Sequence, residues 1–294
     1  MPKGVRPIML CVLGAAFLLA VVPQPGLAAG NDRRFQIKLW GGGAYVGGGD
    51  LNAGLKGLAD YWLASDSYYG WHDVGEYKPA HLGFEFGGDF IFYITRNFGV
   101  GIGAGYVQAS KDSSISSTWG SITDEYTFMP KASAFVLRFL NLVYSLPIGQ
   151  IMRFNIFGGA GYYFGKADAS FRYDWHGGDW DLYSYTANGG GIGFHSGFEF
   201  EFILARNISL FIQAAGRYAN TGNYDGTYHH TAEGGYSYEE MGDFYYYEAL
   251  WRGGAYPRVV VNNVAPSGSG IQNVRKAKLD FSGFTFGTGV NINF

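Results

Sequence analysis

One stretch of the sequence, FHSGFEFE, places the residue types of a hydrolase side by side. His195 lies directly next to Ser196, and Glu199 follows three positions later. A nucleophile, a base and an acid of these types support acyl transfer when they lie within hydrogen-bond reach. The stretch alternates like a β-strand, in which adjacent side chains point to opposite faces. Ser196 therefore faces away from the other two, and the sequence predicts that the protein is not an enzyme.

A second polar group consists of His229 and His230, with Glu233 nearby. Imidazole and carboxylate side chains are metal ligands. A histidine pair in a polar segment is more often solvated, so we predict no metal site and no cofactor. The only cysteine, Cys11, lies in an N-terminal apolar run. After removal of that run the chain is expected to have no disulfide, thiolate metal site or cysteine nucleophile.

The most informative polar residues are four acids and four bases that fall on one face of alternating segments. These eight are Lys38, Glu85, Asp89, Arg138, Arg153, Glu199, Glu201 and Arg217. Charges enclosed by an apolar wall must pair or stay hydrated. Counted from the tight turns, Asp89, Arg138 and Glu199 fall at a similar middle depth, and Glu85 and Arg217 lie higher. Two interpretations remain open, a salt-bridged plug and a narrow charged pore, and we favour the plug.

The segments that carry these charges have the period-2 alternation of β-strands. In HLGFEFGGDFIFYITRN and in GIGFHSGFEFEFILARN, large apolar side chains alternate with Gly, Asp, Glu and His. In VLRFLNLVY the alternation breaks beside Arg138, which predicts a β-bulge. The pattern predicts eight strands near residues 34–47, 79–96, 98–111, 124–145, 152–167, 188–206, 207–222 and 277–294.

The predicted connections alternate in length. Those near 96–98, 146–151 and 206–207 are short, whereas the others, near 48–78, 112–123, 168–187 and 223–276, are longer. Short turns on one side and long loops on the other are typical of an outer-membrane barrel. A sheet in lipid must also close on itself, because no water satisfies an open edge. The sequence therefore predicts an all-β fold, an eight-stranded antiparallel transmembrane β-barrel with long extracellular loops.

Composition agrees with this class of protein. Charged residues are 15% of the chain, below the roughly 25% of soluble domains, and aromatic residues are 18%. A soluble barrel or sandwich would turn its apolar face inward and expose a surface rich in Lys and Glu. Here the second face of the strands instead carries many glycines together with charged residues of both signs. The net charge of −3 gives no basic surface for nucleic acid.

The N-terminus has the pattern of a secretory signal peptide. Lys3 and Arg6 precede an apolar run over 8–22, and GLAAG supplies small residues for cleavage. We predict a removed signal peptide over 1–29 and an outer-membrane barrel domain over 30–294. An uncleaved anchor is the alternative for the first segment.

The sequence TFGTGVNINF places Phe286, Val290, Ile292 and Phe294 on one face. This pattern resembles the C-terminal signature of bacterial outer-membrane proteins, whose last strand is read by the barrel-assembly machinery. As an architecture, residues 34–294 resemble the small outer-membrane barrels that include the OmpA transmembrane domain, OmpX and OmpW. The resemblance implies a bacterial outer-membrane location. It also implies contact with the lipid bilayer, with lipopolysaccharide and with the assembly machinery.

Three functions follow from these expectations. The first is a non-enzymatic envelope or surface-recognition role through Tyr- and Trp-rich extracellular loops, with no external ligand named by the sequence. The second is a narrow, porin-like channel for small or apolar solutes, as the OmpW resemblance implies. The third, a lipid-editing enzyme like the lipid A deacylases of similar architecture, is disfavoured by the opposite faces of His195 and Ser196.

Two long segments carry most of the aromatic residues predicted to lie outside the barrel. They read YDWHGGDWDLYSY and GGYSYEEMGDFYYYEALWRGGAYP. Interfacial anchoring and a binding surface both account for them. A third segment, DLNAGLKGLADYWLAS, predicts a short helix capped by Asp50, with Leu51, Leu55 and Leu58 on one face. That helix is expected to lie on the membrane surface or over the barrel mouth.

Overall fold

Alternation of apolar and polar residues along most of the chain produces strands, and the computed structural model describes residues 34–205 and 207–294 as almost entirely β. The predicted signal peptide lies outside these residues. The one α-helix of the described chain, α1, spans Asp50–Tyr69, and a short 3-10 turn spans Glu233–Gly235. The strands are β1 Phe35–Val46, β2 His72–Gly75, β3 Leu82–Tyr93, β4 Phe98–Ser110, β5 Ser113–Trp119, β6 Ile122–Ile148, β7 Met152–Asp174, β8 Trp180–Ala205, β9 Ile208–Tyr218, β10 Asn220–Ala232, β11 Tyr236–Trp251, β12 Gly254–Asn262, β13 Ile271–Lys276, β14 Leu279–Asp280 and β15 Gly283–Asn293.

Eight antiparallel strands pair in a closed ring. The order is β1, β3, β4, β6, β7, β8, β9 and β15, and β15 pairs again with β1. The closing ladder runs from Gln36 opposite Asn293 to Val46 opposite Gly283. Each of the eight predicted segments contributes one strand, so the all-β antiparallel prediction is confirmed. Because the ring is closed, none of its eight strands has an unpaired backbone edge within the ring.

Three of the ring strands are much longer than predicted. β6, β7 and β8 have 27, 23 and 26 residues, about twice the length of the other ring strands. The predicted loop 168–187 is therefore mostly strand, and the predicted loop 223–276 contains most of β10 and all of β11–β13. These segments alternate as well, but with Tyr, Trp and Asp in place of Phe and Gly. That composition is typical of loops, and the loop prediction was wrong for this reason.

The projecting strand ends form a second body, which we call the extension. Its sheet runs β12, β11, β10, β8, β7, β6, β5 and β2, with β13 on β11 and β14 on β10. The sheet is open, with β12 at one edge and β2 at the other. Helix α1 contacts both edge strands and lies between them. At β12 the helix therefore covers an edge that would otherwise offer unpaired backbone groups.

Two glycines let α1 approach the edge of β12. A Cβ atom on Gly57 would lie 2.1 Å from the carbonyl oxygen of Pro257, and one on Gly54 would lie 2.7 Å from the side chain of Val259. Any larger residue at these two positions would push the helix away from the strand. The helix ends at Gly70, whose left-handed conformation (φ 83°) closes the last turn.

The prediction that Asp50 caps α1 was wrong. Gly49 is the N-cap, and Asp50 is the first helical residue, without a side-chain capping bond. Its carboxylate instead accepts hydrogen bonds from Arg275 Nη2, at 2.8 Å, and from the backbone N–H of Lys278, at 2.8 Å. Sequence spacing alone does not show such partners, because they lie more than 220 positions away along the chain.

Leu51 and Leu55 are fully buried in a cluster that joins the ring to the extension. This cluster includes Val46 at the end of β1, Tyr163 on β7 and Phe281 before β15. Leu58 packs against the same cluster from its margin. The amphipathic face of the predicted helix thus covers the mouth of the ring.

A second apolar cluster fills the extension under the distal half of α1. It contains Ala59, Ile115, Tyr126, Phe128, Phe171 and Tyr173. Trp62 and Leu63 on the helix pack against it.

No helix within residues 34–205 and 207–294 combines the length and apolar character needed to span a membrane.

Candidate functional site

The outer face of the ring is apolar. Many of its large side chains are more than a third exposed: Leu39, Phe84, Phe86, Phe90, Phe92, Ile102, Phe135, Leu137, Phe139, Phe164, Ile192, Phe194, Phe198, Phe202, Leu210, Ile212, Phe284 and Phe286. Soluble monomers rarely expose a continuous apolar surface larger than a few hundred Å². The residues predicted as an assembly signal lie on this face, with Phe286 and Phe294 exposed and Val290 and Ile292 half-buried.

The inner face of the ring is polar and almost completely buried. Seven of the eight predicted charges are at most 8% exposed: Lys38, Glu85, Asp89, Arg138, Glu199, Glu201 and Arg217. The eighth, Arg153, has a side chain that is 12% exposed. All eight point inward, and the structure joins them in two groups.

The first group is centred on an ion pair between Lys38 and Glu199. The distance from Lys38 Nζ to Glu199 Oε2 is 2.6 Å. The same ammonium lies 4.5 Å from the ring centroid of Phe157 and 4.6 Å from that of Phe211. Two aromatic faces and one carboxylate therefore surround the lysine charge and compensate for its removal from water.

Neutral polar side chains extend this group towards the short turns. Asn155 Nδ2 donates to Glu199 Oε1 at 2.8 Å and to Glu201 Oε2 at 3.1 Å. Glu201 also accepts a hydrogen bond from the Ser209 hydroxyl at 2.5 Å, and its carboxylate lies 3.8 Å from Arg153. Each carboxylate is thus held by several donors rather than by one cation.

The second group is centred on Arg138. Its guanidinium lies 3.2 Å from Glu85 Oε1 and 3.3 Å from Asp89 Oδ1, so one cation bridges two carboxylates. Trp40 stacks under the guanidinium at 4.6 Å and donates its indole N–H to Asp89 at 3.1 Å. The predicted break in alternation is present, because the ladder register shifts between Arg138 and Leu140. The bulge lets both residues after Arg138 face outward while Arg138 points inward.

Arg217 closes the second group at the extension end. Its Nη1 lies 2.6 Å from Glu85 Oε2 and 2.7 Å from the Thr285 hydroxyl. Its Nε donates to the carbonyl of Phe281 at 2.7 Å, and its Nη2 donates to the carbonyl of Tyr45 at 2.6 Å. The guanidinium therefore links the charged interior to the backbone at the ring mouth.

Little space remains between the two groups. A cavity of about 30 Å³ is lined by both groups and by Asn141, His195 and Gln213. Such a volume holds one or two water molecules. Towards the extension, buried Tyr163 and Phe281 stack with ring centroids 6.3 Å apart and cover this polar layer. The interior is filled by side chains, as expected for a ring of eight strands.

Sequence reasoning placed these charges on one face but missed several of their partners. Glu199 pairs with Lys38 and not with Arg138, which was expected at the same depth. The neutral members Trp40, Asn155 and Ser209 occupy the same alternating positions as the charges on their strands, and Thr285 faces inward on β15, which carries no charge. Assigning all polar residues, and not only the charged ones, to the inner or outer face by their alternating positions would have found them.

The structure assembles neither of the two polar groups that the sequence offers for chemistry, the His195–Ser196 pair and the His229–His230 pair. His195 is buried inside the ring, whereas Ser196 belongs to a groove on its outer face. His229 Nδ1 lies 3.4 Å from Glu239, and His230 Nε2 lies 2.8 Å from Asp181. Within the described part of the chain, no three His, Cys, Asp or Glu side chains converge as metal ligands do.

Many aromatic residues of the predicted loops fill the extension core. Trp62 stacks with Tyr126 at 5.5 Å, and Tyr126 stacks with Tyr173 at 4.7 Å. The Tyr126 hydroxyl donates to Asp66 Oδ2 at 3.0 Å. Burial raises the pKa of the Asp66 carboxyl above its ordinary value, and this hydrogen bond opposes the rise only in part.

Comparison with solved structures gives distant structural similarity, for example to one protein of Yersinia pestis. The chain matches no family profile and no curated protein. The crystal structure of Ail, the attachment invasion locus protein of Yersinia pestis, aligns with 88% of this chain and 99% of its own. The identity is 12% and the TM-score is 0.28. A similarity of this size assigns no family, and the proposals below rest on the geometry of the molecule.

Proposed function

We propose that the protein is a non-enzymatic bacterial outer-membrane barrel, closed inside, whose extension is a surface-recognition element. The observation that carries the membrane location is the inverted polarity of the ring, with an apolar outer face around a buried polar interior. A transmembrane strand needs about 9–11 tilted residues, and β1, β3, β4, β9 and β15 have 11 to 13. The apolar face would contact lipid chains and lipopolysaccharide.

The arrangement of the connections supports one orientation. Tight turns join β3 to β4, β6 to β7 and β8 to β9 at one end of the ring, and the extension lies at the other. Outer-membrane barrels have short periplasmic turns and longer extracellular segments. The extension would therefore face the exterior. In this orientation Phe286, Val290, Ile292 and Phe294 lie on a lipid-facing strand suited to contact with the assembly machinery.

The filled interior favours recognition over conduction. The charges are paired, the cavity between the two charged groups measures about 30 Å³, and Tyr163 and Phe281 cover it. A channel for small or apolar solutes, the alternative function, would need a continuous path. The ordered extension offers instead a large aromatic surface, and such surfaces bind partners at low entropic cost.

Single-channel recording in planar bilayers tests this proposal. The native chain should migrate differently before and after boiling on a denaturing gel, and it should not conduct. A triple variant, Tyr163→Ala, Phe281→Ala and Arg217→Ala, removes the cover and the uppermost cation and serves as the opened control. Conductance by the native chain equal to that of this variant would establish a channel. Identical gel migration together with recovery in a soluble fraction would refute the membrane location.

A further inference from the structure

An aromatic patch lies where α1 meets the hairpin of β11 and β12. Tyr61 on the helix contacts Trp251 at 5.7 Å and Tyr256 at 5.6 Å between ring centroids. Tyr68, two turns further along α1, contacts Trp251 at 6.2 Å and is 53% exposed. We call these four residues, with the two arginines described next, the helix–hairpin patch.

Two guanidinium groups stack on this patch without an acidic partner. Arg258 lies 4.5 Å from the ring centroid of Tyr61, and Arg252 lies 3.4 Å from that of Tyr68. Within the described residues, neither forms an ion pair or a hydrogen bond. Several other arginines of the chain do pair with carboxylates: Arg138, Arg153, Arg172, Arg217 and Arg275.

The environment of Arg258 is unfavourable for an unpaired cation. The residue is half-buried, and this burial lowers the pKa of its guanidinium from the ordinary value. Its nitrogen atoms are nevertheless not among the fully enclosed polar atoms that lack a partner. The guanidinium is therefore not completely enclosed by the protein. A desolvated cation without a counter-charge is costly, and an anion bound there would remove that cost.

The position of Arg252 is equally unusual. It occupies the first central position of a two-residue hairpin turn, with φ 49°, and Gly253 follows with φ 82°. Such turns favour Asn or Gly at both central positions, because a positive φ is unfavourable for larger residues. The strained turn holds the Arg252 side chain over Tyr68 at the exposed end of the patch.

We propose that the helix–hairpin patch binds an acidic oligosaccharide. Its sugar rings would stack on Tyr68 and Trp251, and its carboxylate or sulfate groups would pair with Arg252 and Arg258. The guanidinium fork matches the geometry of such oxyanions. This inference rests on the proposed function, because it names the ligand class of the recognition surface.

Spacing favours an extended ligand over a single anion. Tyr61 and Tyr68 are seven residues apart on one helix face, which corresponds to about 10 Å along the axis. The two stacked guanidiniums are expected to have a comparable separation. A polymer with an anionic group on each repeat unit spans that distance, whereas one phosphate or sulfate ion does not.

A peptide strand is a poorer fit to the same surface. Peptides commonly bind by adding a strand to an exposed sheet edge. The edge of β12 is covered by α1, since Gly54 and Gly57 bring the helix against Val259 and Pro257. The exposed side chains of Tyr68 and Arg252 and the half-buried Arg258 remain on this surface, and aromatic rings and guanidiniums recognise sugar rings and oxyanions.

Isothermal titration of the full chain in detergent tests the proposal. The probes are a sulfated heparin octasaccharide, its desulfated counterpart, sodium sulfate and a poly-glutamate peptide. The sulfated octasaccharide should bind, and Arg252→Gln or Arg258→Gln should each weaken binding about tenfold or more. Arg258→Lys should recover only part of the affinity, because it keeps the charge but loses the fork. Trp251→Leu should weaken binding by removing a stacking surface.

Lys56→Gln is the matched control. It removes one positive charge from the same helix, but Lys56 pairs with Asp60 at 2.7 Å and lies outside the patch. Its binding should equal that of the native chain. An equal loss in Lys56→Gln and Arg258→Gln would show unspecific polyanion attraction and overturn the proposal.

Three further outcomes would also overturn the proposal. Sodium sulfate binding as tightly as the octasaccharide would show an isolated anion site. Tighter binding of poly-glutamate would identify an acidic peptide as the ligand class. Absence of octasaccharide binding by a heat-modifiable, non-conducting chain would refute this inference and leave the proposed barrel intact. Heat-modifiable migration of every variant verifies that it is folded.

Discussion

Lys38 and Glu199 form a 2.6 Å ion pair across the interior of the ring, with both side chains at most 7% exposed. Their strands, β1 and β8, are not neighbours, because β15 and β9 lie between them. The pair therefore joins opposite walls in addition to the hydrogen-bonded ladder. A charge contact of this kind resists changes in the cross-section of the ring as well as unfolding.

Breaking this pair should destabilise the ring. Glu199→Gln leaves the Lys38 ammonium without its carboxylate, and Lys38→Met leaves the carboxylate without its cation. Each single change should lower the free energy of unfolding by about 3–5 kcal/mol, the usual cost of an uncompensated buried charge. Urea unfolding in detergent micelles measures it. The double variant should lose much less than the sum of the two, and strict additivity would show that the pair is not coupled.

The close contact between α1 and β12 predicts a second effect. Gly57→Ala places a methyl group 2.1 Å from the Pro257 carbonyl, so the helix must shift from the strand edge. Overpacking of this type costs about 1–3 kcal/mol. Limited proteolysis should cleave α1 faster while the gel migration of the ring stays unchanged. Gly43→Ala is the control, because a Cβ atom there meets no neighbour within 4 Å. Equal protease resistance in both variants would contradict this account.

Asp66 makes the extension sensitive to pH. Burial raises the pKa of this carboxyl from the ordinary value of 3.8, so the folded state binds its proton more tightly than the unfolded state. Its contribution to stability is therefore greatest in acid, and it decreases as the pH rises from about 3.8 through the raised pKa. Asp66→Asn keeps an oxygen for the Tyr126 hydroxyl and removes the charge.

The variant should thus gain thermal stability relative to the native chain at pH 7.5 and show a smaller difference at pH 3.5. Near-ultraviolet circular dichroism follows the melting, because Trp62 and Tyr126 stack beside this site. Acids that do not interact with Asp66 titrate equally in both proteins and cancel in the comparison, whereas Asp73 interacts with Asp66 and belongs to the same effect. A gain of the same size at both pH values would exclude Asp66 as its source.

The proposed lipid contact of the ring predicts a depth-dependent cost for charge. Phe86 lies near the middle of β3 on the outer face and is 51% exposed. Phe86→Arg should lower the free energy of unfolding in vesicles by about 2–4 kcal/mol, the cost of a cation near the bilayer centre. Trp119→Arg, at an exposed turn of the extension, should have little effect. Equal effects of the two changes would argue against lipid around the ring.

The alternation of residues along a strand is a local property, and it was sufficient to predict an all-β antiparallel fold and to group the charged residues on one face. Each of the eight charged residues has a large apolar or aromatic residue at an adjacent position, which faces the opposite way, so one segment shows its direction. Pairing across the interior is different, because it depends on how strands shift relative to one another around the ring. The partner of Glu199 could therefore not be read from its depth along β8.

The extension was not predicted because its apolar residues have partners that are distant in sequence. Phe171 and Tyr183 alternate with polar residues as ring residues do, but their buried face packs on Trp62 and on each other. Without knowledge of α1, tyrosine and tryptophan among acids indicate exposed loops. The helix itself was recognised from Leu51 and Leu55, whereas the hydrogen-bond partners of Asp50 were not.

Closure of the ring also sets the order in which the molecule can fold. Gln36 on β1 and Asn293 on β15 hydrogen-bond at 3.2 Å, although 257 positions separate them in the chain. Contacts between such distant segments carry a large loop-closure entropy and form slowly. The hairpins of β6, β7 and β8 link neighbouring segments and can form early. We therefore expect the seam between β1 and β15 to form late, and until it forms both strands expose edges on which unfinished chains can aggregate.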